Sequence, residues 1–334
     1  MWLQNLRVGK RALTVAAEQL VALAGCLSGF EEASDKILRK LSGIRLSEST
    51  VQRTTKDAGQ RLRQMLDAQI DFQEKQSWQW NRDAAGRTCA YVSIDATGVR
   101  QQGRRGAKAE GRMPYVGMIY NPPPRSDSGP IKDRRYLAGL YDLTDLGRQL
   151  HREALSVGWQ DAEVQIALSD GAPCLEKFLA TYFPKAQRIL DFFHAAEHLA
   201  ELARTLYNEE EFHETFRRWR GQLKQHGGAA VLAELEVLDP TGWSNEAKAI
   251  WQRELGYFRS NVGRMDYPTY LSNGWQIGSG PIEAACKTVI NRRLNGTGMR
   301  WSAAGTNHLA ALRACYLSEP KRWNSFWNAS YLQK

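Results

Sequence analysis

The sequence predicts a mixed α/β protein in which helices cover both faces of a central sheet. Three strand-like apolar segments follow one another near the middle of the chain, and strand-like and helix-like segments then alternate. This succession is typical of a mixed sheet with helices on both sides. With 334 residues, the chain can bury a sizeable core and contain more than one domain.

The central strand is expected at 89–94, an apolar and β-rich run between a charged segment and a glycine-containing turn. A single carboxylate, Asp95, follows it. An aspartate at a strand end is often structural, so Asp95 becomes a functional candidate only if other acidic residues join it. Asp170 follows the fourth expected strand, and Glu283 lies in the first turn of a late helix. These two residues are the candidates to join Asp95.

The remaining elements complete the sheet and add a helical insertion. In chain order they are strand 115–120, strand 135–141, helix 143–157, strand 164–169, helix 175–182 and strand 186–190. Residues 195–262 have a helical pattern throughout and are too many for a loop, which predicts an inserted helical subdomain. A turn at 274–280 follows, and Ser279 or Gly280 can cap the helix of Glu283.

Three helices are expected before the sheet, at 12–25, 30–41 and 47–56. Ser47 can cap the third helix, which follows a glycine-containing turn and carries Arg53 and Lys56 on a polar face. This organisation predicts a helix-turn-helix DNA-binding unit, and a small helical bundle with a solvated basic face is the alternative. A polar helix over 57–76 is expected to continue as a linker or a self-association element.

The formal net charge of +9 and the pI of about 9.3 favour a polyanionic partner, most simply nucleic acid. The charge is uneven, with a net +5 over 1–65, a net −3 over 195–270 and a net +7 over 284–334. The segment after Glu283 holds eight Lys or Arg and a single acidic residue. This segment is therefore the most basic part of the chain and a favoured nucleic-acid surface.

The five cysteines are scattered and never form a CxxC pair, which favours reduced thiols in the cytoplasm and disfavours a cysteine zinc site. The segment 23–26 is similar to the cleavage site of a lipoprotein signal. Glu18 and Gln19 interrupt the apolar run before it, so we expect no signal peptide. No stretch approaches the length of a transmembrane helix, and no membrane partner is expected.

Asp95, Asp170 and Glu283 are separated by 75 and 113 residues, so only folding can bring them together. At 4 Å, two carboxylates repel by about 4 kcal/mol at an effective dielectric constant of 20, and bound cations remove this cost. Oxygen ligands without thiolate or imidazole select Mg²⁺, for which Mn²⁺ can substitute. The start of a helix also favours the ionised form of Glu283. Two such ions about 3.5–4 Å apart can activate water or a 3′-hydroxyl for attack at phosphorus.

Basic and aromatic residues near the third acidic residue are candidates for DNA contacts. Lys287 lies one helical turn beyond it and either forms an i,i+4 salt bridge with it or contacts a phosphate. In the second case, the surface would extend over Arg292, Arg293 and Arg300. Trp275 precedes the same helix and either stacks on a displaced base or packs under the turn.

Five motifs together resemble a bacterial insertion-sequence DDE transposase of the Kra-type group. They are SIDATG at 93–98, LSDGAP at 168–173, DFFHAAEHL at 191–199, NGWQIGSGPIEAACK at 273–287 and NGTGMRWS at 295–302. Each motif is short, but their order and spacing cover roughly residues 30–327. The resemblance implies a ribonuclease H-like core, with the first acidic residue on strand one, the second after strand four and the third on a late helix.

The resemblance also implies residue roles. Asp191 and His194 correspond to an Asp-x-x-His element that supports the site or handles DNA. Some insertion-sequence families have a basic residue seven positions after the glutamate, where this chain has Ile290, and Lys287 can substitute for it. The implied catalytic triad, which binds two Mg²⁺ ions, is Asp95, Asp170 and Glu283.

The expected protein is a transposase that cleaves phosphodiester bonds at transposon ends and joins the 3′ ends to target DNA. Its partners would be terminal inverted repeats, target DNA and at least one further copy of the chain, in a bacterial cytoplasm and associated with the nucleoid. The expected segments are a helical DNA-binding domain with its linker helix (1–76), the first part of the catalytic core (86–194), the helical insertion (195–272), the second part of the core (273–318) and a C-terminal tail (319–334).

Two alternatives remain open. A catalytically inactive or domesticated DNA-binding protein could have the same fold. A zinc peptidase could use the H-x-x-E-H sequence that His194, Glu197 and His198 form. The peptidase hypothesis leaves the two aspartates at strand ends and the basic C-terminal segment unexplained.

Overall fold

A computed structural model describes residues 13–73, 75–103, 107, 110–123 and 129–332. Its centre is a five-stranded sheet with the strand order β3-β2-β1-β4-β5. The strands are β1 (Cys89–Ala96), β2 (Tyr115–Tyr120), β3 (Arg134–Gly139), β4 (Val164–Ser169) and β5 (Gln187–Leu190). A two-stranded ribbon pairs Val99–Arg100 with Gly111–Arg112 beyond the end of β1. The predicted mixed sheet is confirmed, and each of its five strands overlaps a segment where the sequence predicts a strand. The ribbon pairs the two ends of a segment, 99–112, most of which the sequence predicts as a turn.

The strand directions bring three strand ends to the same edge of the sheet. β1 pairs antiparallel with β2, where Tyr91 is opposite Tyr120, and β2 pairs antiparallel with β3. β1 runs parallel to β4, where Ser93 is aligned with Leu168, and β4 runs parallel to β5. Because β1, β4 and β5 point the same way, the residues at their carboxyl ends lie at one edge. These residues include Asp95, Asp170 and Asp191.

Helices surround the sheet and precede it. In chain order they are α1 (Val15–Leu27), α2 (Phe30–Glu32, continued by a π-helix over Ala33–Ser42), α3 (Glu48–Asp67), α4 (Leu143–Ser156), α5 (Pro173–Tyr182), α6 (Phe192–Leu206), α7 (Glu209–Glu236), α8 (Asn245–Asn261), α9 (Tyr267–Ser272), α10 (Gly280–Ala285, continued by a π-helix over Cys286–Asn291 and the α-helical Arg292–Leu294), α11 (Ala303–Leu317) and α12 (Pro320–Leu332). Within the described residues, no helix combines the length and the apolar character needed to cross a membrane.

The two faces of the sheet are both covered by helices, as predicted. Successive side chains of β1 point to opposite faces of the sheet. Tyr91 belongs to an apolar cluster with residues of α6 and α10, whereas Val92 belongs to a second cluster with residues of α4 and α5. The face of Tyr91 therefore meets the helix that carries Glu283.

The N-terminal helices pack onto the C-terminal part of the chain. α3 lies along α11, where a Cβ atom at Gly59 would come within 2.3 Å of the His308 carbonyl oxygen. α1 crosses α3, where a Cβ atom at Gly25 would come within 2.2 Å of Thr55 Oγ1. Both crossings therefore require glycine. The buried side chains of α1 and α3 contribute to the same two apolar clusters as the sheet.

The third helix begins where the sequence predicts and continues through the first part of the predicted helix over 57–76. Ser47 caps α3, since its hydroxyl accepts a hydrogen bond from a backbone N–H of the first turn. The helix ends at Asp67 because Gln69 adopts a φ of 57°, so the predicted helix over 57–76 is wrong beyond that point. The helix-turn-helix assignment stays a prediction, and residues 1–12 of that segment lie outside the described residues.

The segment between β5 and α10 is helical, as its pattern predicts. α6 packs on α7 and α8, and Trp219 of α7 is fully buried. α7 begins with a capping box between Asn208 and Glu211 and kinks at Gly227, where φ is 79°. α6 to α9 thus form a packed helical layer that enters and leaves the core beside the carboxyl edge of the sheet.

The C-terminal residues form a helix, whereas the sequence predicted a tail at 319–334. α12 buries Trp323, Phe326 and Trp327 against the core. Burial of three large aromatic side chains gives this segment a strong reason to fold back onto the protein. The prediction of a tail is therefore wrong for the described part of this segment.

Four buried charged residues join α12 to α4 and β3, and we call them the ion-pair cluster. Arg322 donates to both carboxylate oxygens of Glu153 at 2.6 Å, and Arg135 donates to Glu153 at 3.1 Å. Arg135 also pairs with Glu319, which completes a balanced set of two cations and two anions. Burial alone would raise the pKa of Glu153, but Arg322 and Arg135 outweigh it and lower that pKa to about 2.

Candidate active site

Asp95 lies at the end of β1, on the same side of the strand as Tyr91 and therefore toward α10. Its Oδ1 accepts a hydrogen bond from the Ala96 N–H at 2.6 Å, and the Cys286 thiol donates to its Oδ2 at 3.7 Å. Burial is the main factor that raises the pKa of Asp95, and the carboxylates of Asp170 and Glu283 raise it further. The negative charge of Asp95 is thus unfavourable in this setting, and a bound cation would relieve it.

Asp170 directly follows β4 and is oriented by a tight turn. Its Oδ1 accepts a hydrogen bond from the Ala172 N–H at 2.9 Å. The intervening Gly171 has a φ of 87°, and a Cβ atom there would come within 2.3 Å of a Leu190 methyl group. Glycine is therefore required at this position.

Glu283 lies in the first turn of α10, which has Pro281 at its start. Its Oε1 accepts a hydrogen bond from the Ser279 hydroxyl at 2.7 Å. The residue is exposed at the start of the helix. The sequence prediction that this glutamate opens a helix is confirmed.

Asp191 is buried and has a structural position between two helix starts. Its Oδ1 accepts hydrogen bonds from the Phe193 N–H at 3.0 Å and from the Ser279 N–H at 3.2 Å. Its Oδ2 lies 2.8 Å from the Ser279 hydroxyl oxygen. Asp191 therefore ties the start of α6 to the start of α10 and supports the position of Glu283.

These residues line one cavity of about 300 Å³, which we call the carboxylate pocket. Among the described residues, no Lys or Arg forms an ion pair with the three predicted triad residues or with Asp191. Their hydrogen-bond donors are neutral N–H, O–H and S–H groups. The titratable residues that line the pocket are Asp95, Asp170, Asp191, His194, Glu197 and Glu283.

The donors of the carboxylate pocket fit a hard divalent cation in type. Asp95, Asp170 and Glu283 all offer carboxylate oxygen, the ligand that Mg²⁺ and Mn²⁺ prefer. Within the described part of the chain, no three His, Cys, Asp or Glu side chains are already placed to hold a metal ion together. Side chains of the triad must therefore move closer to one another to bind one.

The predicted basic residues divide into exposed and buried ones. Lys287, Arg292 and Arg300 are exposed, and Lys287 forms no ion pair with Glu283 in the described structure. Arg293 is only 2% exposed, and its Nε donates to the Gly25 carbonyl oxygen at 3.0 Å. The prediction of a DNA contact for Arg293 is therefore wrong, because its guanidinium is used to join α1 to the core.

The remaining DNA-contact candidates are also only partly available. Trp275 is 7% exposed, stacks on Tyr270 and donates from Nε1 to Asp83 at 3.2 Å. It packs under the turn, which is the second of the two predicted roles, and base stacking by Trp275 is not supported. On α3, Arg53 is exposed and Lys56 is half-buried.

The H-x-x-E-H sequence does not form a peptidase-like zinc site. Nδ1 of His198 lies 2.6 Å from Oε2 of Glu254, and the His198 ring stacks on Tyr257 at 3.7 Å. These contacts use His198 to pack α6 on α8. His194 is half-exposed at the carboxylate pocket, where its Nδ1 lies 3.6 Å from Glu197.

Three residues near the site were not singled out for it from the sequence. Ser279 lies four positions before Glu283, and Cys286 lies three positions after it, so helical spacing could have indicated both. Tyr257 belongs to α8, and its buried hydroxyl has no hydrogen-bond partner among the described residues. Burial, Asp170 and Asp191 all raise the pKa of Tyr257, so this phenol stays protonated near the pocket. Its position depends on the packing of α8, which sequence spacing does not reveal.

Neither the protein-family models nor the curated proteins include a match to this chain. The function is therefore inferred from the residues and the geometry of the carboxylate pocket.

Proposed function

We propose that the protein is a Mg²⁺-dependent DDE transposase that cleaves DNA at transposon ends and joins the 3′ ends to target DNA. One observation carries the proposal. Three acidic residues from distant parts of the chain line a single pocket, and none of them forms an ion pair with Lys or Arg among the described residues. Such an arrangement is costly unless cations bind to it.

The architecture supports a ribonuclease H-like core. The transposase resemblance expects the first acidic residue on strand one, the second after strand four and the third on a late helix. Asp95 lies on β1, Asp170 follows β4, and Glu283 lies on α10. The helical layer α6 to α9 lies between β5 and α10, as it does in transposases with an insertion before the glutamate. The order and direction of the five strands are in keeping with this core.

The residues of the carboxylate pocket would have different roles in the reaction. Asp95, Asp170 and Glu283 would hold two Mg²⁺ ions, with Mn²⁺ as a substitute. When bound, these ions supply Lewis-acid stabilisation of the phosphate and lower the pKa of a water or a 3′-hydroxyl. The Ala96 and Ala172 N–H groups hold one oxygen of each aspartate and so orient the other. His194, half-exposed at the pocket, is placed to contact the DNA backbone.

DNA binding would extend from the pocket over exposed basic side chains. Lys287 and Arg292 continue the helix of Glu283, and Arg300 follows it. These residues would contact phosphates, which adds affinity without sequence readout. The N-terminal helices, with Arg53 exposed on α3, would help to recognise the terminal inverted repeats. Pairing of two transposon ends would require at least a dimer.

The experiment that tests this proposal uses the purified full chain and DNA with the inverted repeats that flank its gene. We expect cleavage at the repeat ends and transfer of the 3′ ends to a target plasmid in Mg²⁺ or Mn²⁺, and neither in EDTA. Binding of the repeats without cleavage in any divalent cation would contradict the catalytic role and favour a non-catalytic DNA-binding protein. Cleavage that persists in EDTA would contradict the cation requirement.

A further inference from the structure

Ser279 lies between two carboxylates at the start of α10. Its hydroxyl oxygen is 2.8 Å from Asp191 Oδ2 and 2.7 Å from Glu283 Oε1. The residue is 8% exposed, so these contacts are largely shielded from water. A buried hydroxyl at hydrogen-bond distance from a proposed cation ligand is in a position to control that ligand.

Ser279 is the N-cap residue of α10, but its hydroxyl does not cap the helix. Serine before the first helical residue ordinarily accepts a hydrogen bond from a backbone N–H of the first turn. The Ser279 side chain makes no such bond to α10. Removal of the hydroxyl therefore leaves the helix cap unchanged and affects only the two carboxylates.

The position of Ser279 is itself fixed from the other side. Its N–H donates to Asp191 Oδ1 at 3.2 Å, and the Phe192 N–H donates to the Ile277 carbonyl oxygen at 2.8 Å. Asp191 is only 4% exposed and also holds the Phe193 N–H. The turn before α10 is thus anchored to the start of α6, and the serine hydroxyl is held in a defined place.

We infer that Ser279 is a positioning residue that orients Glu283 for cation binding, an inference that rests on the proposed function. The hydroxyl holds Oε1 of Glu283 and leaves Oε2 without a partner among the described residues. The single hydroxyl hydrogen can be donated to Glu283, because two backbone N–H groups still hold the Asp191 carboxylate. Without this contact, the exposed Glu283 side chain would have to be ordered by the cation alone, which weakens binding.

The test measures Mn²⁺ binding to the full chain without DNA, by electron paramagnetic resonance and by isothermal titration calorimetry. We expect Ser279→Ala to weaken Mn²⁺ binding by about 10- to 100-fold, the range typical for loss of a hydrogen bond to a metal ligand. Ser279→Thr, which keeps a hydroxyl, should bind Mn²⁺ close to the wild-type affinity. The matched control is Thr288→Ala, which removes a hydroxyl on the same helix that donates to the Ala284 carbonyl oxygen at 2.8 Å.

Thermal unfolding of each variant separates positioning from folding. We expect similar melting temperatures for Ser279→Ala and Thr288→Ala, with weakened Mn²⁺ binding in the first variant only. Equal Mn²⁺ affinity in the wild type and Ser279→Ala would overturn the positioning role while leaving the cation site intact. If Ser279→Ala does not fold, loss of Mn²⁺ binding in a folded Ser279→Thr would likewise overturn it. A wild-type chain that binds no Mn²⁺ would instead contradict the proposed function.

Discussion

The carboxylate pocket and the ion-pair cluster both bring acidic side chains together, but only the cluster pairs them with arginine. Glu153 lies between Arg135 and Arg322, with three N···O contacts of 2.6 to 3.1 Å. Asp95 has a backbone N–H and a thiol as its hydrogen-bond donors. The pKa values of the two acids move in opposite directions, to about 2 for Glu153 and upward for Asp95. The paired carboxylate has arginine partners that stabilise its charge in the fold, whereas the pocket carboxylates have none in the described part of the chain and are the ligands of the proposed cation site.

The largest effect is expected for Asp95 in the carboxylate pocket. Asp95→Asn removes the charge of a proposed cation ligand that forms no ion pair with a described Lys or Arg. DNA cleavage in Mg²⁺ should therefore fall by at least about 10³-fold, as for loss of a catalytic group. Its melting temperature should be unchanged or higher, because repulsion from Asp170 and Glu283 is relieved. Cleavage assays and calorimetry on the same preparation check both parts. Retained cleavage, or a large loss of stability, would show that Asp95 is structural.

Removal of Glu153 from the ion-pair cluster should reduce the stability of the protein. Glu153→Ala leaves Arg135 and Arg322 with an uncompensated buried charge, which should destabilise the protein by about 3–5 kcal/mol. Urea unfolding at pH 7 measures the loss. Asp145→Ala is the matched control on the same helix, since Asp145 pairs with Arg148 at an exposed site and should cost less than about 1 kcal/mol. Similar losses in the two variants would contradict a structural role for the cluster.

The sequence predicts the strands, and the places of Asp95 and Asp170 at strand ends, better than the partners of these residues. The strands at 115–120 and 164–169 follow from local apolar runs, and Asp95 and Asp170 follow from their places at strand ends. The cluster is not predictable in this way, because Arg135, Glu153 and Arg322 come from three separate elements. Only the folded chain shows which acids have arginine partners.

The sequence pattern also does not predict which individual side chains are buried. Arg293 lies in the most basic segment and was expected at a phosphate, yet its guanidinium lies over the rings of Phe30 and Trp301. Trp275 is enclosed by Tyr270, which lies on a helix of the insertion. Such contacts depend on which distant elements meet, and a local pattern carries no information about that. The C-terminal helix α12 was missed for the same reason.

The free energy of unfolding should depend on pH through Glu153. The pKa of Glu153 is lowered from 4.5 to about 2 in the folded protein, so its contribution to stability is present above pH 4.5 and is lost as the pH falls toward 2. Unfolding free energies of the wild type should therefore decline over this window. Glu153→Gln should be less stable at neutral pH and should show a shallower decline, by urea titration at successive pH values. Parallel curves for the two proteins would exclude Glu153 as the titrating group.

The smallest effect is expected for a basic side chain, Lys287, which lies outside both the carboxylate pocket and the ion-pair cluster. Lys287 is exposed and forms no ion pair with Glu283 within the described chain. Lys287→Ala should weaken DNA binding and reduce the slope of log K against log salt by about 1, with no change in stability. Fluorescence anisotropy at several salt concentrations measures the slope. Lys185→Ala, an exposed lysine before β5 at the opposite edge of the sheet, is the control and should leave the slope unchanged.

The most direct test of the central claim is anomalous diffraction from crystals of the full chain soaked in Mn²⁺. We expect Mn²⁺ peaks in the carboxylate pocket, bound by Asp95, Asp170 and Glu283, and their loss in Asp95→Asn crystals. An empty pocket at saturating Mn²⁺, or a peak held by His194 and His198 instead, would contradict the account.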